Sequence, residues 1–350
     1  MFTLDGLSVP IVQAPMAGGP STVELAAAVC EAGGLGFLAA GYRRADQLGD
    51  DISRLRARAG RAFGVNIFVP AREPADPEAV RRYAEELAPE AERHGVPLGE
   101  PRFDDDDWAA KLDVVCETRV PVVSFTFGCP ADETVSRLHE RGIAVWVTVG
   151  NAGEARQAES VGADALVVQG LEAGGHRGGF VDDAEAGGTG LLALLQLVRR
   201  AVSLPMIATG GIADGAAVAA VLCAGAAAAQ IGTALMLAPE AGTAPAQRAL
   251  LTRELPTALT RAFSGRLARG IVNRFQSEHT ETAPSAYPEI HHVTSPLRAD
   301  ARRRGDADMF NLWAGQAHEL ARELPAAEII RAMVAEAREA LAGAARTLEA

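Results

Sequence analysis

Asp164-Ala165-Leu166-Val167-Val168-Gln169-Gly170-Leu171-Glu172-Ala173-Gly174-Gly175-His176-Arg177-Gly178-Gly179 starts as an apolar run and ends as a glycine-rich turn. The run reads as a short buried strand. Glycine at its end lets the backbone take positive φ and lets a ligand approach the main chain closely. One histidine is delivered there. Its unperturbed pKa lies near neutrality, which suits His176 to general-base work.

The same unit of strand, turn and helix recurs on both sides. Upstream, strands are predicted at Pro10–Pro15, Leu35–Ala40, Ala62–Val69, Val120–Phe127 and Ile143–Val149. Helices are predicted between them at Val23–Ala32, Gln47–Arg58, Asp132–Arg141 and Ala152–Val161. Downstream, helices at Leu191–Val202 and Ala213–Ala224 alternate with strands at Pro205–Ala208 and Ala227–Ile231. Regular alternation to a count of eight strands predicts an α/β fold closed into a (β/α)8 TIM barrel, ahead of a doubly wound sheet.

The barrel is assigned to residues 1–250, with an insert at about 70–119 after the third strand. In that insert Pro77–His94 and Asp104–Thr118 read as helices, and the four acids Asp104 to Asp107 suit a helix macrodipole better than a metal. Residues 255–320 show no clean period, and Ala326–Leu348 reads as a helix. Residues 251–350, with the insert, are expected to form a smaller, mainly helical cap on the substrate side of the barrel.

The chain has 350 residues and a formal net charge of -12, without a lysine-rich patch, which opposes binding to nucleic acid or anionic lipid. Cys30, Cys116, Cys129 and Cys223 are widely spread with no metal-ligand spacing, as in a reduced, cytoplasmic protein. His279, His291 and His292 fall in a stretch read as an irregular loop, so no metal site is expected. No signal peptide or membrane span is expected, since the apolar region from Ala216 to Ala238 breaks into helix-like and strand-like halves. A homodimer is compatible with these features.

Barrel enzymes place their chemistry at the C-terminal ends of the strands and usually hold phosphate after the last two. Here Thr209-Gly210-Gly211-Ile212-Ala213-Asp214-Gly215 and Gln230-Ile231-Gly232-Thr233-Ala234 occupy those points and offer backbone N–H groups to an anion. Gln13, Asn66 and Gln169 lie near strand ends, where amides suit a flat heterocycle with mixed donor and acceptor edges. Gly34-x-Gly36-x-x-Ala39 closes a helix and enters a strand, so it is not a dinucleotide fingerprint. Flavin mononucleotide (FMN) is the natural fit.

Gln13-Ala14-Pro15-Met16-Ala17-Gly18, the Gln169–Gly178 turn, Thr209–Gly215 and Gln230–Thr233 together resemble the signature blocks of the nitronate monooxygenase family, formerly 2-nitropropane dioxygenases. The resemblance runs from about Pro10 to Glu240 and resumes weakly at Trp313-Ala314-Gly315-Gln316. It implies that FMN contacts Asn66, Gln169, Gly174, Gly211, Gln230, Ile231, Gly232 and Thr233, with His176 at the substrate. It also implies oxidative denitrification of alkyl nitronates, such as propionate 3-nitronate, by O2. Tyr287 and Arg298 are candidates to bind the rest of the substrate. The competing readings are an FMN- and NADH-dependent enoyl-thioester reductase, a non-catalytic flavin-binding barrel, and a flavin-free lyase or isomerase.

Overall fold

The computed structural model describes residues 1–60, 62–182 and 188–349. Its strands in chain order are β1 (Ile11–Gln13), β2 (Phe37–Ala39), β3 (Gly64–Phe68), β4 (Val122–Thr126), β5 (Ala144–Val149) and β6 (Ala165–Gln169). There follow β7 (Gly175–His176), β8 (Met206–Thr209), β9 (Ala228–Ile231), β10 (Thr257–Thr260) and β11 (Ala268–Ile271). Eight of these are parallel neighbours in the order β1-β9-β8-β6-β5-β4-β3-β2. The two ends of that order meet at Leu35, which donates to Ile11 O at 3.0 Å and accepts from Gln13 N at 2.9 Å. The sheet closes into the expected barrel.

The helices are α1 (Val23–Glu31), α2 (Ala45–Ala59), α3 (Pro77–His94), α4 (Trp108–Thr118), α5 (Asp132–His139), α6 (Ala152–Ser160) and α7 (Leu191–Ala201). They continue with α8 (Gly215–Cys223), α9 (Pro245–Leu251), α10 (Arg274–His279), α11 (Glu289–Arg304) and α12 (Ala326–Glu349). Among the described residues, none is long and apolar enough to cross a membrane.

Successive strand side chains point to opposite faces, and this alternation sorts the barrel. Ile11, Val65, Val123, Val145, Leu166, Val168, Ala208 and Ile231 face outward into the layer shared with the helices. Val12, Phe37, Val122, Ala144, Trp146, Val167, Ile207 and Ala228 fill the inside, with Phe2, Leu4 and Leu7 packed against them. A Cβ on Gly64 would lie 2.3 Å from the Phe37 ring, so this inward position must be glycine to leave the ring its space. One step further along the inward positions, Asn66, Ser124, Thr148, Gln169, Thr209 and Gln230 replace the hydrocarbons. The barrel thus has an oily N-terminal end and a polar C-terminal layer.

Three expectations change. Helix α12, expected with the cap, packs against α8 and α1, and its Ile329, Ile330 and Met333 join the barrel's outer core. It supplies the barrel helix that follows β9 in space, delayed by the intervening cap. Residues 255–320 contain β10 and β11, which form an antiparallel sheet with β7. His279 lies in α10, and His291 and His292 lie in α11 rather than in an irregular loop. Both helices escaped the sequence reading because α10 is one and a half turns long and α11 buries Thr294 and Arg298 beside Val293 and Leu297. A stripe that mixes polar and apolar residues shows no clean period. A second core joins Val80, Tyr83 and Leu87 of α3 to Phe263, Phe275, Ile290 and Phe310.

The third change concerns the acidic run, which does not open α4. Asp106 and Asp107 have φ of 53° and 56°, and their carboxylates accept from Tyr42 N at 3.1 Å and Ala45 N at 3.3 Å. They anchor the loop that follows β2.

Because Ile330 is fully buried in the outer core, Ile330→Ala is expected to cost about 2–5 kcal/mol in urea unfolding. A loss below about 1 kcal/mol would place α12 outside the barrel core.

Candidate active site

A cavity of about 450 Å³ opens at the C-terminal ends of the strands, between the polar layer and the cap. That volume lies in the range of small-molecule and cofactor sites. Asn66 lines it and donates through Nδ2 to Ser124 Oγ and Thr126 Oγ1, both at 2.9 Å. Those bonds leave the carbonyl half of the amide for a ligand. Gly210 and Gly211, with φ of 114° and 69°, make the turn after β8, a conformation that L side chains disfavour. Gly232 and Thr233 line the same wall after β9, so both glycine-rich turns meet at one end of the cavity.

His176 lines the same cavity. Its Nε2 lies 2.8 Å from Ser264 Oγ, which also donates to Arg266 O at 3.2 Å. The rings of Phe127 and Trp313 lie edge-on to the imidazole, with centroids at 5.6 and 5.5 Å. Burial, reinforced by the charges of Arg266 and Arg298, pushes the His176 pKa down to about 3. The ring is therefore neutral at physiological pH and keeps a lone pair.

Arg298 and Arg302 line the cavity from α11. Arg298 Nε donates to Thr294 Oγ1 at 2.9 Å, and both guanidiniums donate to Asn311 Oδ1, at 3.3 and 2.6 Å. Among the described residues neither pairs with a carboxylate. Burial, then the charge of Arg302, lowers the Arg298 pKa to about 10, so it stays charged at neutral pH. A buried Arg298 and a half-buried Arg302, without a counter-charge among the described residues, favour an anionic ligand.

The structure brings together most of the residues expected from sequence. Asn66, Gln169, Gly174, His176, Gly211, Gln230, Gly232, Thr233 and Arg298 all line the cavity. Gln169 donates to His176 O at 3.1 Å and accepts from Gly178 N at 2.7 Å, so both ends of its amide hold the histidine turn. Gly174 is required by the cap as well: a Cβ there would lie 2.4 Å from Ala314 C and Gly315 N.

Three expected residues stand elsewhere. Gln13 and Ile231 lie on the outward parity of β1 and β9, behind the cavity wall. Gln13 is fully buried and donates to Ser21 Oγ at 3.0 Å and Phe37 O at 3.1 Å, which holds the cavity-lining Ala14–Pro20 loop from behind. Tyr287 lines an adjacent outer cavity instead. Sequence reasoning missed Thr126 and Thr148, which strict strand alternation would have found. It also missed Phe127, Ser264, His291, Arg302 and Asn311, and their loops and cap helix carry no local signal.

The sequence profile described as nitronate monooxygenase matches residues 3–336. The chain is 39% identical to a nitronate monooxygenase of Paraburkholderia phytofirmans, over 97% of this chain and 95% of that protein. It is 41% identical to one of Pseudomonas aeruginosa, over 96% and 98%. Among solved structures, a nitroalkane oxidase from Streptomyces ansochromogenes superposes with a TM-score of 0.94 at 50% identity, covering 97% of this chain and 98% of that one. FabK from Thermotoga maritima superposes at 0.78 with 29% identity, covering 98% and 97%.

A pH dependence of stability follows from the two cavity-lining histidines. Burial holds His176 down at about 3 and pushes His291 down further. In the unfolded chain each takes up a proton near pH 6.5. The unfolded state then binds more protons as pH falls below that value, and this part of the stability is lost progressively toward the folded pKa. The melting temperature is expected to fall between about pH 7.5 and about pH 5, less steeply in His291→Asn. Identical slopes for the two proteins would contradict this.

Proposed function

Because the chain belongs to the nitronate monooxygenase family of flavin-dependent oxidoreductases, we propose that it catalyses FMN-dependent oxidative denitrification of alkyl nitronates by O2. The products are a carbonyl compound and nitrite or nitrate. The observation that carries this reading is a neutral, half-buried His176 in the same cavity as Arg298 and Arg302, which pair with no carboxylate among the described residues. A nitronate is an anion, and propionate 3-nitronate carries a second negative charge on its carboxylate. The four cysteines, widely spread along the chain, fit a reducing compartment, and we place the reaction in the cytoplasm.

The residues present fit FMN. The Gly210–Gly211 and Gly232–Thr233 turns offer main-chain N–H groups for the phosphate, and Asn66 and Gln230 offer amide edges for the ring system. When bound, the flavin supplies the electron-accepting chemistry and passes the electrons on to O2. The protein supplies the rest. Ser264 fixes the His176 imidazole, which hydrogen-bonds a nitronate and, for a neutral nitroalkane, takes the α-proton. Protonating His176 beside Arg266 and Arg298 is unfavourable on its own. The nitronate formed by that transfer is negative and offsets the cost, so the base works only when the anion appears beside it. Arg298, with Arg302, holds the far anionic end of the substrate. Proton removal from a neutral substrate agrees with the description of the Streptomyces relative as a nitroalkane oxidase.

The first test is an absorbance spectrum of the purified protein, followed by anaerobic addition of propionate 3-nitronate or NADH. Flavin bands that the nitronate bleaches and NADH does not are expected. Rapid bleaching by NADH alone would favour the enoyl-thioester reductase, and a protein that binds no flavin sinks both. His176→Ala is expected to lower nitroethane oxidation by about a hundredfold or more while retaining most turnover of preformed ethyl nitronate. Arg298→Met should raise the KM for propionate 3-nitronate about tenfold or more, and leave that for ethyl nitronate nearly unchanged.

A further inference from the structure

A second cavity of about 580 Å³ adjoins the first on the side of the β2 loop and the start of α11. The two share Tyr42, Phe68, His291 and Ser295 along their linings. In the outer cavity Arg102 and His292 are paired with Asp104, and Asp106 with Lys111. Arg43 and Arg44 are paired with Asp51 and Asp46. Arginines already matched to carboxylates give an anionic ligand no reason to stop there. The outer cavity has the character of a passage.

Tyr42 stands in the shared wall with a fixed backbone and a ring packed between two aromatic neighbours. Its φ is 65°, outside the usual range for a non-glycine residue. Its N–H donates at 3.1 Å to Asp106, whose other oxygen lies 2.7 Å from the Nζ of the fully buried Lys111. Just before it, a Cβ on Gly41 would lie 2.1 Å from the Phe68 ring, so the main chain lies flush against that ring. The Tyr42 ring itself stacks on His291 at 4.1 Å and meets Phe68 edge-on at 5.6 Å, and its hydroxyl accepts from the Tyr287 hydroxyl at 3.3 Å. Strain held in the backbone at such a position indicates a functional placement of the side chain.

We infer that Tyr42 is the partition between an outer antechamber and the His176 cavity, and that it sets the size of substrate admitted. The inference rests on the reading of that cavity as a site for alkyl nitronates. Without the ring, the two cavities merge through the gap it leaves between Phe68 and His291. The buried Asp106–Lys111 pair then acts as a positioning element for the partition rather than as a participant in the chemistry.

The test compares the flavin-loaded wild type with Tyr42→Ala and Tyr42→Phe across linear nitronates from ethyl to octyl. A second readout is iodide quenching of the flavin fluorescence. The Tyr42→Ala variant is expected to gain about tenfold or more in kcat/KM for the longest nitronates relative to ethyl nitronate. Its quenching constant should rise, and Tyr42→Phe, which keeps the ring, should follow the wild type in both. Parallel chain-length profiles or an unchanged quenching constant overturns the inference. If no nitronate is turned over by the wild type, the functional reading fails instead, and quenching alone decides whether Tyr42 is the partition. If Tyr42→Ala does not fold, His291→Ala opens the same wall from the opposite side and is judged by the same two readouts.

Discussion

One stretch of main chain, from Gly170 to Gly178, belongs to the barrel and to the cap at once, and the arrangement of the site depends on it. Gly175 and His176 pair with Arg269 and Ala268 of β11, and Arg177 N donates to Leu267 O at 2.8 Å. Gln316 N donates to Glu172 O at 3.0 Å on the other side. Buried arginines tie the same segment by its carbonyls: Arg177 reaches Gly170 O at 2.7 Å, Arg269 reaches Leu171 O at 3.1 Å, and Arg266 reaches Arg177 O at 3.3 Å. Buried backbone groups must find partners. Here they find them in the cap, so His176 is positioned only when cap and barrel have docked.

That docking determines the electrostatics of the site. It places Arg266 and Arg298 close enough to His176 to add to the effect of burial on its pKa. It also removes Arg298 from water without giving it a carboxylate among the described residues. Burying such a charge is costly unless something compensates it. A bound anion does so, which makes the cap a substrate-recognition element as well as a cover. The guanidinium of Arg266 lies 4.2 Å from the centroid of the Phe127 ring, so the cation that adds to the effect of burial on His176 also packs one of its aromatic neighbours.

Legibility in the sequence followed the range of the interactions. The barrel strands were readable because each buries a short apolar run before a turn signal, as Ala144–Val149 and Ala165–Gln169 do. The polar layer was partly readable: Asn66 and Gln169 stood out as amides at strand ends, whereas Thr126 and Thr148 did not, though all obey the same alternation. Alternation also explains the misplacement of Gln13 and Ile231, one residue out of phase with the inward set. A one-residue offset in a strand moves a side chain to the other face. The last helix was readable as a helix but not as part of the barrel. An amphipathic stripe says that a face is buried, not which partner buries it.

By itself, then, the sequence determined the eight-strand alternation, the glycine-rich turns where backbone must take positive φ, and the delivery of His176 at the end of a strand, since all of these are local properties of the chain. Tertiary structure alone decided that Ser264, Arg298, Asn311 and Trp313, far from His176 in the chain, share a cavity with it. It also decided that Tyr42 and His291 stack across a wall between two cavities, and that α12 returns to complete the barrel after the cap. These are contacts between distant segments. They arise from the packing of faces whose partners no local pattern names, and the neutral histidine exists only once that packing excludes water.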